Sequence, residues 1–231
     1  MPLGRALILA VVGVVIALPA AVAADTTTAR FLVTVRGTVT KQWSYRVQTR
    51  SGDCTRTVSG SGTRTIRVRS ADASVVAGSW PGPRAPATFD GAVRLAGAIR
   101  QSGSKTTRDG GPAGCPQDER HPDCGLLTRT FQNRSMRLVS GRPRRLGFRR
   151  IPGLVPDVFY NGCPGEPSAV RRLAGGINLA DAAYSEKELF DRSTAGVTLR
   201  GSTDVTTKLF SPPGSVLQRA RWTLTLRRLG A

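Results

Sequence analysis

The stretch from Phe31 to Gln48 constrains the fold more than any other. Phe31, Val33, Val35, Val39, Trp43, Tyr45 and Val47 occupy odd positions, and Leu32, Thr34, Arg36, Thr38, Thr40, Gln42, Ser44, Arg46 and Gln48 occupy even ones. Only Gly37 and Lys41 interrupt the odd face. A period of two describes a strand with one buried and one wet face. The run is long for one strand, so a bend is expected near Gly37. The alternation returns in "TVSGSGTRTIRVRS", "TFDGAVRLAGAIR" and "RWTLTLRRL", and more weakly in "LLTRTFQNRSMRLV", "AGVTLRG" and "TDVTTKLF". Turn residues punctuate these runs in "SGDC", "SWPGPRAP", "RDGGPAGCP", "GCPGEPS" and "SPPGS".

Strands at this spacing predict an all-β, antiparallel β-sandwich or flattened barrel. One segment departs from the pattern. In "NLADAAYSEKELFDR", Ser185 and Glu188 have capping-box spacing, which predicts one short helix near 181–191. The polar stretch 102–125 is expected to be a long exposed loop.

The N-terminus has the layout of a secretion signal: Arg5, an apolar run from Ala6 to Leu18, then Pro19 and an Ala21-Val22-Ala23 cleavage pattern. The expected organisation is a signal over 1–24 and a single β domain over 25–231, with no membrane span after cleavage. The full chain has 34 basic and 15 acidic residues, a net charge of +19; losing Arg5 with the signal leaves +18. Only Lys41, Lys105, Lys187 and Lys208 are lysines, so 30 of the 34 basic residues are arginine. Codon bias in a GC-rich genome accounts for arginine over lysine but not for the scarcity of acids. Such a surplus attracts polyanions.

The four cysteines, Cys54, Cys115, Cys124 and Cys163, are even in number in a chain expected to be exported, which favours disulfides over metal ligands. Sequence allows three pairings. The leading expectation is Cys115–Cys124 with Cys54–Cys163; the runner-up joins Cys124 to Cys163. The stretch "CPQDERHPDCG" also holds the one histidine, His121. Its C-x5-H-x2-C spacing matches no structural zinc pattern, and C-x8-C is not a redox pair. No G-x-S-x-G motif is present. No catalytic, metal or cofactor residues are therefore assigned.

"GRPRRLGFRR" concentrates Arg142, Arg144, Arg145, Arg149 and Arg150, with Phe148 interleaved as a base-stacking residue could be. These arginines are the candidate polyanion-binding residues. Trp43 and Trp222 are expected in the core and Trp80 at an exposed turn. The expected partner is an anionic envelope polymer or an acidic protein, not nucleic acid. The alternatives are a secreted hydrolase built on carboxylates or His121, and a module that binds protein through a sheet edge regardless of salt.

The signal, "DCTRTVSGSGTRTIRVRS", the "DCG" opening a strand, the "GCP" turn and "SEKELFD" together resemble exported β-rich proteins of high-GC Gram-positive, actinobacterial, bacteria. The resemblance implies an exported location and a β fold. It implies no catalytic residue.

Overall fold

The computed structural model describes residues 26–115, 118–141, 144–150, 160–175, 179 and 181–230. The signal segment and Arg142 lie outside them. The strands are β1 (Thr27–Ser51), β2 (Cys54–Ser70), β3 (Ser74–Trp80), β4 (Thr88–Asp90), β5 (Ala92–Gly110), β6 (Glu119–His121), β7 (Leu127–Gly141), β8 (Arg145–Arg150), β9 (Ala182–Ala183), β10 (Gly196–Phe210) and β11 (Pro213–Leu229). Two helices join them, α1 (Ser168–Gly175) and α2 (Glu186–Phe190).

All pairings are antiparallel, in the order β10-β11-β1-β2-β5-β7-β8-β9, with β3 on β1, β4 on β3 and β6 on β5. β1 is the spine. β11 accompanies it on one side from Arg30 to Tyr45, while the other side takes β3 up to Val33 and β2 from Arg36 onward. The strand stays continuous at Gly37, and the partner exchange falls just before it. The sheet curls until Phe148 of β8 meets Trp222 of β11 edge-on across the core, with ring centroids 5.4 Å apart.

The alternation read from β1 holds. Its odd positions line the interior, and the main core gathers Phe31, Val33, Val35, Val39, Ile66, Leu95, Ile99, Leu138, Leu146, Leu224 and Leu226. A second, smaller cluster lies toward the other end of β1, where α1 sets Val170 and Ala174 against Trp43, Tyr45 and Val216. The two α1 residues are one turn apart, on one face of the helix.

Several expectations need correction. Helix 181–191 shrinks to α2, capped by Ser185, whose Oγ accepts from the Glu188 amide at 3.4 Å; residues 182–183 form β9 instead. α1 adds a second helix: its eight residues make only two turns, too short a window for a period of 3.6 to stand out in the sequence. The expected loop 102–125 is strand as far as Gly110, since β5 continues opposite β2, and β6 pairs back onto β5. Trp80 is half-buried and packs on Phe190 at 6.1 Å.

The disulfides are Cys54–Cys115 and Cys124–Cys163, the runner-up pairing rather than the leading one. Register explains the difference. Thr55 lies opposite Gly110, so Cys54 at the hairpin tip meets the turn that carries Cys115. β6 then carries the chain away from Cys115 before it reaches Cys124. Disulfides fit an oxidising compartment. No helix among the described residues is long and apolar enough to cross a membrane.

Candidate polyanion-binding face

The site begins with glycines. Four glycines lie under the ring of the aromatic residue directly across a strand pair: Gly62 under Trp43, Gly60 under Tyr45, Gly201 under Trp222 and Gly97 under Phe131. A Cβ on Gly62 would sit 2.2 Å from Trp43 Cζ2, and one on Gly201 2.2 Å from Trp222 Cε2. Glycine provides the space, and the partner's ring covers its backbone.

Two of these pairs fall on one line across the sheet. Gly201, Trp222, Gly37, Val68, Gly97 and Phe131 follow one another in register from β10 to β7, all on the inner face. The outer face over this line is a trough. One part, about 660 Å³, is walled by Arg36, Thr38, Arg67, Arg200, Arg221 and Thr223. A second, about 400 Å³, continues over Arg67, Arg69, Ala98 and Thr130. The two share Arg67 and Val68.

Register fixes the walls. Arg200, Thr223, Arg36 and Arg69 form one row; Ser202, Arg221, Thr38, Arg67, Ala98 and Thr130 form the other. No acidic residue lines either part. The five arginines form no ion pair among the described residues, whereas Arg219 pairs with Asp204 at 3.0 Å and Arg94 with Asp72 at 2.6 Å. Arg36 and Arg69 even stand directly opposite each other, a like-charge pair that costs stability.

The arginines singled out from sequence are divided. Arg144, at a positive φ of 33°, pairs with Glu186 at 3.3 Å, and Arg145 donates to the Asp181 carbonyl at 3.4 Å. Both help dock β9 and α2 onto β8. Arg149 and Arg150 are described only by their backbone pairing with Arg137 and Met136, and Arg142 lies outside the described residues. Phe148 belongs to the core, which removes it as a stacking residue. The trough arginines do not stand out singly in the sequence because they are scattered over four strands. The signal for them was the recurrent arginine on outer faces; the missing information was register.

A second polar group sits inside the fold. Lys41, fully buried, donates from Nζ to the Leu173 carbonyl near the end of α1 at 2.5 Å. The negative end of the helix dipole suits a cation there, which explains the interruption of the odd face. Arg64, also fully buried, donates to Gln101 Oε1 at 3.0 Å and lies over the Tyr160 ring. Gln101 donates in turn to the Gly125 and Asn161 carbonyls, next to Cys124 and near Cys163. Buried charges are tolerated when hydrogen-bonded in this way.

Glu166 accepts from Tyr160 Oη at 2.7 Å. Burial pushes its carboxyl above the ordinary 4.5, opposed by hydrogen bonds from Tyr160 and Trp43 and by the charge of Arg171. Burial, with Glu166 nearby, pushes Tyr45 up to about 12. The folded state therefore holds the Glu166 proton more tightly than the unfolded chain does. That stabilisation is present below pH 4.5 and is lost as pH rises through the folded value. Glu166→Gln keeps a neutral acceptor for Tyr160. It is expected to raise the melting temperature near pH 7 and to leave it nearly unchanged near pH 4, as thermal scans of both proteins at both pH values will show.

Other carboxylates are separately engaged: Glu186 with Arg144, and Asp191 with Ser193. His121 sits in β6 opposite Lys105. No group of three or more His, Cys, Asp or Glu side chains placed to hold a metal ion occurs among the described residues. Comparison with family models, curated proteins and solved structures finds no match for this chain.

Proposed function

We propose that this is an exported, non-catalytic protein of the cell envelope or extracellular space that binds an anionic polymer through its arginine-lined sheet face. One observation carries the reading: five guanidinium groups from four neighbouring strands line a continuous trough that contains no acid. Cations gathered without counter-charge repel one another and lower stability, and an anionic ligand relieves that repulsion. The signal-like N-terminus, the two disulfides and the resemblance to actinobacterial exported proteins support the location. Of the basic run 142–150, Arg144 and Arg145 contribute less because they are already engaged with Glu186 and the Asp181 carbonyl.

Salt titration tests the reading. If the five trough arginines neutralise five groups of a single anionic chain, heparin affinity is expected to fall about 100-fold between 50 and 200 mM salt, with a log–log slope near −3.5. A flat salt response, or no binding at low salt, overturns it. The protein-binding alternative rests on the outer edge of β10, which pairs with no further strand among the described residues and where Val205 is half exposed and Phe210 is 89% exposed. It predicts a complex that survives high salt.

A further inference from the structure

We infer that the trough holds one extended polyol–phosphodiester chain, laid across the strands, rather than a duplex, a stacked single-stranded nucleic acid or a uronate glycan. The inference rests on the polyanion reading above and narrows it to one chemistry.

Dimensions come first. The trough crosses six strands, β10-β11-β1-β2-β5-β7, so its length is about 24 Å at the usual strand spacing. Its walls are two residues apart along each strand, so the rows stand about 7 Å from each other. A single flexible chain fits between them. A B-form duplex, whose major groove alone is about 12 Å wide, does not.

The arrangement of donors comes next. β10 offers Arg200 on one wall and Ser202 on the other; β11 offers Thr223 and Arg221; β1 offers Arg36 and Thr38; β2 offers Arg69 and Arg67. The guanidinium changes wall from β10 to β11 and again from β11 to β1, and a hydroxyl stands across from it on each of these three strands. A phosphate inside a chain turns its two free oxygens to opposite sides and can take a guanidinium from one wall and a hydroxyl from the other. A ring carboxylate presents both oxygens on one edge and meets one wall only. Guanidinium forks suit phosphate geometry. The serine and threonine hydroxyls can also serve the polyol units between phosphates.

Stacking is missing. The aromatic residues along the trough, Trp222 and Phe131, are buried beneath it at 3% and 4% exposure. Binders of single-stranded nucleic acid use exposed aromatic faces as platforms.

The experiment compares the full mature protein with R36Q, R67Q, R200Q and R221Q, singly and combined, and with R172Q on the exposed side of α1 as a control. All substituted residues are exposed, and circular dichroism verifies folding. The probes are poly(glycerol phosphate) of graded length, polygalacturonate, heparin, oligo(dT) and duplex DNA, at one fixed salt concentration. The expected result is tightest binding per charge to poly(glycerol phosphate), rising with chain length until the chain spans about 24 Å and then levelling off. Each single trough substitution is expected to weaken this binding roughly tenfold, and R172Q to leave it unchanged. Equal or tighter binding per charge of polygalacturonate, heparin, oligo(dT) or duplex, still sensitive to the trough substitutions, overturns the phosphodiester assignment but leaves the polyanion reading standing. Binding that ignores the trough substitutions, or no binding at all, overturns both.

Discussion

Replacing Cys124 and Cys163 together by alanine is expected to lower stability by more than the roughly 4 kcal/mol that closing a loop of this length contributes on the chain-entropy model. The bridge spans 39 residues and joins the segments that present the Gly125 and Asn161 carbonyls to Gln101. Without it, Gln101 loses fixed acceptors, and Arg64, buried against it, loses a held partner. A buried charge whose partner is released costs several kcal/mol. The internal control is the other bridge. Cys54–Cys115 spans 61 residues, so its loop term is also about 4 kcal/mol, but it ties an exposed hairpin tip to an exposed turn. Denaturant unfolding of the two double variants therefore isolates the buried network. Equal losses would mean that the network adds nothing. Non-reducing peptide mapping checks the pairing itself.

The second large effect concerns the glycine line beneath the trough. Gly201→Val is expected to cost about 3–5 kcal/mol, the range for losing a core tryptophan. A Cβ at Gly201 would lie 2.2 Å from the Trp222 ring, and that ring also packs edge-on with Phe148 in the core. The indole cannot retreat, so either it leaves the core or the strands separate. Overpacking alone typically costs about 1–3 kcal/mol. Gly201→Ala should already fall in that lower range, and adding Trp222→Leu to it should recover part of the loss. Thermal unfolding of the three proteins decides. A neutral Gly201→Ala would refute the steric account, and absence of rescue would place the cost elsewhere. Because Gly201 and Trp222 lie under Arg200 and Arg221, the valine variant is also expected to lose polyanion binding even if it remains folded.

Much of the architecture could be read directly from the chain. The odd face of β1, the apolar faces of β2, β5 and β11, and the Ser185 cap all follow from local pattern, because alternation and capping depend on neighbours in sequence. The threonine–arginine outer faces were equally plain. The disulfide pairing was not, since it depends on where a hairpin tip lands relative to a distant turn. Nor was the role of Lys41 or Arg64. A cation on an apolar face looks like an interruption until the end of α1 and the Gln101 amide are placed beside it. The trough belongs with these. Arg36, Arg67, Arg200 and Arg221 sit singly on separate strands, β1, β2, β10 and β11, so no local run of arginine marks them.

By itself, then, the sequence determined a β-rich antiparallel fold with greasy inner and cationic outer faces, since a period of two sends alternate side chains to opposite sides of any strand. Only the tertiary structure decided which strands lie side by side and in what register. That choice is made by long-range fits such as an indole over a glycine, and it alone gathered scattered arginines into one groove.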